Sequence, residues 1–380
     1  MDRLCKQPDM VEIPDTVSTL AKCEYFLNLA SSEVNVLKFS WLISSFLEAA
    51  YSYFDVVAIS VMHNTPSTYT VETWEHDEIF DKLNTLVHIE SREPFGVTTA
   101  PASYSPILVE QLFKFHERYT HHFPLAILTA GPNVPEDFRF GDSIRNGAPV
   151  LEFCRKLVVF LRKDWLRGAK GFDQIEEIEG KKFTMDHNDS FFQASHLRPP
   201  PSICSDEILC KELDIVGIPD TWDTLEKCEY FLKLASREVK TPQFSWLISA
   251  FLEAAYSFFN VFAIRAMHWL VDCDGQTWQD DEAFEELSCI VRIDSKGPFG
   301  VTTSLAPYSP LIVRHLYKFH ERYTQHFPLA ILTGGPKLPE DFRFGDSILN
   351  GSPVLEFCQK TLTFCRGDWR EKYDRWHSSL

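Results

Sequence analysis

The chain has 380 residues, a formal net charge of −17 and 31 phenylalanines within an aromatic content of 14%. This apolar content excludes an intrinsically disordered protein. The sequence has no run of 18 apolar residues, so no membrane-spanning helix is predicted. The negative charge disfavours broad, salt-dependent binding to phosphate backbones, although it is compatible with a local basic cleft.

The sequence contains an internal duplication. Residues 23–27 return as 228–232, 205 positions later, and residues 138–144 return as 342–348, 204 positions later. A duplication of this kind usually does within one chain what a homodimer does with two. Any site that both copies share should therefore occur twice.

The duplication defines the predicted domains. We predict one helical repeat at 11–165, a second at 211–372, and a flexible linker at 166–210 between them. The linker contains an acidic run at 173–179 and a proline triplet at 199–201, which both disfavour packed structure. Because a linker of this length can span a whole domain, we predict that the repeats pack face to face as a pseudo-dimer.

Two helices open each repeat. The apolar stripe of the first helix has spacings of three and four residues, and Asp15 and Asp220 are the predicted N-terminal caps. The stripe comprises Leu20, Cys23, Leu27, Ala30 and Val34, repeated as Leu225, Cys228, Leu232, Ala235 and Val239. The second helix, from about 38 to 63, is apolar over most of its circumference, so it is predicted to be the central buried helix.

A polar strip runs along this second helix. It comprises Ser45, Glu48, Ser52 and Asp55, with Ala250, Glu253, Ser257 and Asn260 in the second copy. One interpretation is a solvated helix edge. The other makes Glu48 and Glu253 binding residues in a polar seam that faces the other copy or a ligand, because a buried carboxylate requires a partner.

Three further helices are predicted in the rest of each repeat. In the first copy they cover 77–89, the segment from Ser105 to just before Phe123, and the segment from Pro149 onward. Between them, 94–99 is predicted to be a loop or short strand, 125–129 a strand or a helical continuation, and 131–141 a loop. Five helices per unit, mostly in antiparallel contact, predict an all-α protein made of two homologous helical bundles.

The fourth helix carries the candidate catalytic residues. Arg118 and His122 are four residues apart and share a helix face, as do Arg322 and His326. A guanidinium that holds a phosphate and an imidazole that moves a proton are a workable pair for phosphodiester cleavage. The alternative is structural, because His122 and His326 continue the apolar stripe and suit a core position.

Other polar residues are candidates for binding. His116 and His320 each lie on the fourth predicted helix of their own repeat, close to Arg118 and Arg322. Arg139 and Arg343 lie in the loops that follow these helices. The loop arginines are expected to form local salt bridges with neighbouring aspartates or to line a ligand rim. Neither a phosphate-binding loop, a nucleophile elbow nor a zinc-protease motif occurs in the sequence.

The first two helices resemble those of HEPN-type domains. The resemblance rests on residues 23–30, CEYFLNLA, and on residues 39–50, FSWLISSFLEAA. It implies a dimerising helical bundle and, for many family members, a metal-independent ribonuclease of a toxin–antitoxin or phage-defence system. That activity uses an arginine followed, after four to six residues, by a histidine. Only three residues separate Arg118 from His122, which favours a non-catalytic member.

These observations favour a non-enzymatic binding or regulatory protein, with an endoribonuclease as the alternative. The acidic surface suits a protein partner, RNA is possible, and no membrane partner is expected. Cysteines at apolar helix positions and the absence of Cys-x-x-Cys pairs favour a reducing compartment, so we predict a cytoplasmic protein. No cofactor and no metal site are predicted.

Overall fold

The computed structural model describes residues 15–64, 82–93, 96–120, 123–129, 131, 134–162, 220–270, 282–295, 301–324, 327–333 and 338–367. They form two compact units, one built mainly from the first repeat and the other mainly from the second. The predicted linker at 166–210 and the outer limits of both predicted repeats lie outside the described residues. Most of the described structure is helical, with small strand hairpins.

The first repeat contains four named helices and four short strands in the described part of the chain. They are α1 Thr16–Ala30, α2 Val36–Asn64, β1 Val87–Glu93, β2 Gly96–Pro101, α3 Ile107–Thr120, β3 Ile127–Thr129, β4 Phe138–Phe140 and α4 Val150–Arg162. Asp15 caps α1 as the sequence predicts, because its Oδ1 accepts a hydrogen bond from the Val17 amide at 3.0 Å.

The second repeat follows the same order, with one additional helix in its described part. Its elements are α5 Thr221–Ala235, α6 Thr241–Leu270, α7 Glu282–Ile290, β5 Val291–Ser295, β6 Val301–Leu305, α8 Leu311–Thr324, β7 Ile331–Thr333, β8 Phe342–Phe344 and α9 Val354–Arg366. Asp220 caps α5 through the Trp222 amide at 3.1 Å, so the predicted cap is present in both repeats.

The long helices α2 and α6 form the centre of their repeats, as the sequence predicts. Phe39, Phe46 and Phe54 on α2 are fully buried, and the packing is equivalent around α6. By length and composition, Val36–Val61 and Thr241–Ala266 would be able to cross a membrane, with mean hydropathies of 1.3 and 1.6. In both, 78% of the apolar window is buried inside the fold, which is also typical of a soluble core helix.

Strand hairpins are the main departure from the predicted all-α fold. The predicted helix at 77–89 is wrong at its C-terminal end, because the chain is extended from Val87 and pairs with β2, with Val87 opposite Pro101. The period-two alternation is visible in β2, where Val97 and Thr99 are buried and Thr98 and Ala100 are less so. Helical periodicity alone does not distinguish so short a segment from a helix end.

The predicted loop at 131–141 is partly ordered secondary structure. A 3₁₀ turn at Pro135–Asp137 leads into β4, which pairs antiparallel with β3. Phe138 and Phe140 point into the core on either side of Arg139. A glycine follows β4 because a Cβ at Gly141 would lie 2.8 Å from the Leu128 Cγ, closer than van der Waals contact permits.

Candidate functional site

The structure brings together two residues that the sequence analysis treated separately. His116 on α3 approaches Glu48 on α2, with 3.5 Å between His116 Nε2 and Glu48 Oε2. The imidazole also stacks on the ring of Tyr51, with centroids 3.4 Å apart and planes 3° from parallel. Glu48 therefore belongs to a polar contact between two helices, and we call these three residues the Glu–His–Tyr cluster of the first repeat.

Hydrogen bonds beneath the cluster fix its tyrosine. The Tyr51 hydroxyl donates to the Thr99 carbonyl oxygen at 3.2 Å, and the Thr99 hydroxyl donates to Asp55 Oδ1 at 2.8 Å. Burial, together with the negative charges of Asp55 and Glu48, raises the pKa of Tyr51 well above its ordinary value. Tyr51 therefore remains a neutral donor, and its ring is a fixed platform for His116.

The second repeat contains the same cluster. His320 Nε2 lies 3.5 Å from Glu253 Oε2, and the imidazole stacks on Tyr256 at 3.3 Å with an interplanar angle of 10°. Burial also raises the pKa of Tyr256. Both clusters present one partly open carboxylate beside one mostly buried imidazole.

The polar groups beneath the two clusters differ. In the second repeat, the Thr303 hydroxyl donates to Asn260 Oδ1 at 2.6 Å and also bonds the Tyr317 hydroxyl. The equivalent positions in the first repeat are Asp55 and Phe113. The second repeat therefore joins two neutral side chains through its threonine, where the first uses a carboxylate.

The clusters have limited chemical capacity. A carboxylate and an imidazole can accept and donate protons, but the hydroxyl of the tyrosine stacked on the imidazole has a raised pKa in both repeats, which makes it a poor nucleophile. Within the described residues, no group of three or more His, Cys, Asp or Glu side chains is arranged to hold a metal ion. This geometry fits a structural or ligand-contacting polar pair better than a complete catalytic centre.

The candidate catalytic arginine of the second repeat is paired with a buried carboxylate. Arg322 forms a salt bridge with Asp346, whose side chain is completely buried. Asp346 Oδ1 also accepts a hydrogen bond from the Ile348 amide at 2.9 Å, which fixes the loop after β8. Arg322 therefore neutralises an internal charge, which reduces the net positive charge that it can offer to a phosphate.

The corresponding arginine of the first repeat, Arg118, is half-buried, with its guanidinium carbon 5.8 Å from the ring centroid of Phe123. Asp142, the counterpart of Asp346, is also buried and accepts the Ile144 amide at 2.8 Å. His122 and His326 lie outside the described residues, so the predicted Arg–His pairs have no described geometry.

The loop arginines stabilise the 3₁₀ turn before β4 and β8. Arg139 Nη1 donates to the Glu136 carbonyl oxygen at 2.8 Å, and Arg343 Nη1 donates to the Glu340 carbonyl oxygen at 2.5 Å. These bonds are to backbone carbonyl oxygens and are not the salt bridges with neighbouring aspartates that the sequence suggested, and the predicted ligand rim stays a prediction.

Sequence reasoning missed an exposed turn before α3 and α8. Tyr104 and Tyr308 are each 89% exposed, and the first residues of the helices, Ile107 and Leu311, are also exposed. We call Tyr104 with Ile107, and Tyr308 with Leu311, the tyrosine turns of the first and second repeats. In the sequence, these turns are marked by a Tyr-Ser-Pro tripeptide that both repeats retain, but the tripeptide does not indicate that its tyrosine is exposed.

Hydrogen bonds hold the backbone of the tyrosine turns. In the first repeat, the Ser105 hydroxyl is within hydrogen-bond distance of the Leu86 and Ala102 carbonyl oxygens, at 2.6 and 2.8 Å. The Ser105 amide also donates to the Ala102 carbonyl oxygen and closes the turn. Ser309 makes the equivalent contacts in the second repeat. Each tyrosine is therefore displayed from a fixed backbone.

Comparisons with protein-family models, with curated proteins and with solved structures found no match for this chain.

Proposed function

We propose that the chain is a non-enzymatic binding or regulatory protein, built from a duplicated helical domain and acting on a protein partner through its tyrosine turns. In this proposal the two repeats pack as a pseudo-dimer and the protein is cytoplasmic. Free, buried thiols at Cys23, Cys154, Cys228 and Cys358 support a reducing compartment.

The two tyrosine turns are the observation that carries this proposal. A large aromatic ring that is 89% exposed has little role in folding, yet both repeats hold one on the same hydrogen-bonded turn beside an exposed aliphatic side chain. Tyrosine is enriched among the residues that dominate protein–protein binding energies. A rigid turn also lowers the conformational entropy lost on association.

The pairing of Arg322 argues against the alternative, a ribonuclease that uses this arginine. Phosphodiester cleavage needs a guanidinium directed at the phosphate, whereas Arg322 is paired with the buried Asp346. Removing that partner from a buried carboxylate costs about 3–5 kcal/mol. Such a cost disfavours the use of Arg322 as a mobile phosphate ligand.

Site-specific photo-crosslinking tests the proposal. We expect a photoreactive phenylalanine analogue at Tyr104 or Tyr308 to crosslink a discrete protein in host extract, and excess untagged chain should compete for it. The same analogue at Val159, which is 46% exposed, is the matched control. Crosslinking at the turns that does not exceed the control would contradict the proposal.

The alternative proposal is a metal-independent, HEPN-type endoribonuclease that uses Arg118, His122, Arg322 and His326. It predicts RNA cleavage that persists in EDTA and leaves a 2′,3′-cyclic phosphate. Replacing both His122 and His326 by alanine should lower the rate by about 10² to 10⁴. Unchanged cleavage in a folded double variant would eliminate this mechanism, and a wild-type chain without cleavage would leave the binding protein as the proposal.

A further inference from the structure

The two tyrosine turns share their apolar residues but differ in charge. The helical position three residues after Ile107 is Glu110, whereas the position three residues after Leu311 is Arg314. Residues three apart lie on the same face of a helix, so each charge is next to the exposed aliphatic side chain. The two repeats therefore carry opposite charges at equivalent positions of the same fold.

Arg314 is held in a favourable position for binding. Its Nη2 donates to the Pro307 carbonyl oxygen, inside the turn that displays Tyr308, at 2.7 Å. This bond uses one of the five N–H donors of the guanidinium. Arg314 is an exposed residue, so a partner can reach its guanidinium. An arginine fixed in this way loses little side-chain entropy when it binds a carboxylate.

A second cation extends this surface. Lys318 is exposed one helical turn after Arg314. Burial and the nearby charge of Lys318 both lower the pKa of His315, so His315 is biased towards its neutral form. The surface of the second repeat thus combines Tyr308, Leu311 and two neighbouring cations, whereas Glu110 precedes Lys114 at the same positions in the first repeat.

We propose that the tyrosine turn of the second repeat, with Arg314 and Lys318, binds an acidic protein segment that contains an apolar residue. The ring of Tyr308 and the side chain of Leu311 contact the apolar residue, and Arg314 donates to an aspartate or glutamate next to it. In the first repeat, Glu110 repels such a segment. This inference rests on the proposed binding function and specifies its partner.

The charge pattern favours an acidic polypeptide over RNA. Nucleic-acid affinity grows with the number of phosphates neutralised, and two cations on a chain of net charge −17 supply few such contacts. Leu311, which is 66% exposed, adds apolar surface that a peptide side chain covers better than a phosphate backbone does.

The test is a random displayed peptide library selected against the full chain at physiological salt, and counter-selected against a Tyr308→Ser, Leu311→Ser variant. We expect the selected peptides to be enriched in Asp and Glu beside an apolar residue. Arg314→Glu should weaken the best peptide roughly tenfold or more, since it exchanges a charge-assisted hydrogen bond for repulsion. Circular dichroism on each variant reports whether the fold is retained.

A gain-of-function control uses the first repeat. Glu110→Arg should create a second site for the same peptide, so that the measured stoichiometry rises from one to two. Selection of basic or uncharged peptides, or an Arg314→Glu variant that binds equally well, would overturn the inference while leaving the proposed binding function in place. Tighter, Arg314-dependent binding of a single-stranded RNA oligonucleotide would also overturn it.

Discussion

At the scale of single residues, the duplication provides two versions of one polar core. Thr99 donates to the carboxylate of Asp55, while Thr303 joins the amide of Asn260 to the hydroxyl of Tyr317. All of these groups are buried or nearly so, and buried polar groups must be paired to avoid a large desolvation cost. The threonine hydroxyl is therefore a shared requirement, although its partners differ.

Thr99→Val should destabilise the first repeat. Valine has the shape of threonine without the hydroxyl, so Asp55 loses a donor, and a hydrogen bond to a charged group contributes about 1.5–3 kcal/mol. Urea unfolding, followed by circular dichroism, measures the change. Thr99→Ser retains the hydroxyl and is the matched control. A Thr99→Val variant as stable as the wild type would show that the hydrogen bond to Asp55 contributes little.

At the scale of elements, the two short hairpins depend on close packing between glycine and leucine. Gly141 and Gly345 follow β4 and β8, and a Cβ at either position would meet Leu128 or Leu332 at less than 3 Å. Both leucines are about half exposed, so each covers its glycine from the outer side of the hairpin. Close approach explains glycine here, because neither residue has a positive φ.

Gly141→Ala should therefore destabilise the first repeat by about 1–3 kcal/mol, the usual range for overpacking. The Leu128→Ala background removes the clashing atoms and should recover most of this loss, which a double-mutant cycle measures as a coupling energy. Gly345→Ala with Leu332→Ala repeats the test in the second repeat. Additive effects in both repeats would show that the contact does not constrain the glycine.

The sequence predicted some elements well, for identifiable reasons. The long buried helices and their preceding helices follow from sustained apolar periodicity, and Asp15 and Asp220 were identified because capping is a local effect. The strand at Val87 was missed because its first residues continue the apolar spacing of a helix, and the Phe138–Phe140 strand was missed because three residues are too few to show a period. Strand pairing depends on a partner elsewhere in the chain, which local sequence does not specify.

The candidate site was only partly predictable. Glu48 and His116 were both selected as polar residues on apolar helices, but their contact depends on how α2 and α3 pack. The pairing of Arg322 with Asp346 likewise joins a helix to a distant loop. Tyr104 was not selected, because aromatic residues are usually assumed to be buried and its exposure depends on the turn that displays it.

At the scale of the whole molecule, the proposed pseudo-dimer makes a direct prediction. A site-specific protease sequence inserted within 166–210 should allow the chain to be cut into two fragments. If the repeats pack against each other, the fragments should co-elute from a size-exclusion column after cleavage. Fragments that separate at micromolar concentration, while each keeps its helical circular dichroism, would contradict the pseudo-dimer.

The two threonines beneath the Glu–His–Tyr clusters bear on how the halves of the gene can recombine. An unequal crossover that placed residues 311–324 into the first half would bring the Tyr317 hydroxyl to the position of Phe113. Thr99 donates its only hydroxyl hydrogen to Asp55 and still has lone pairs with which to accept from that hydroxyl, as Thr303 bonds both Asn260 and Tyr317. A crossover at this point would therefore leave these polar groups paired, so the polar core by itself does not keep the two halves of the gene distinct.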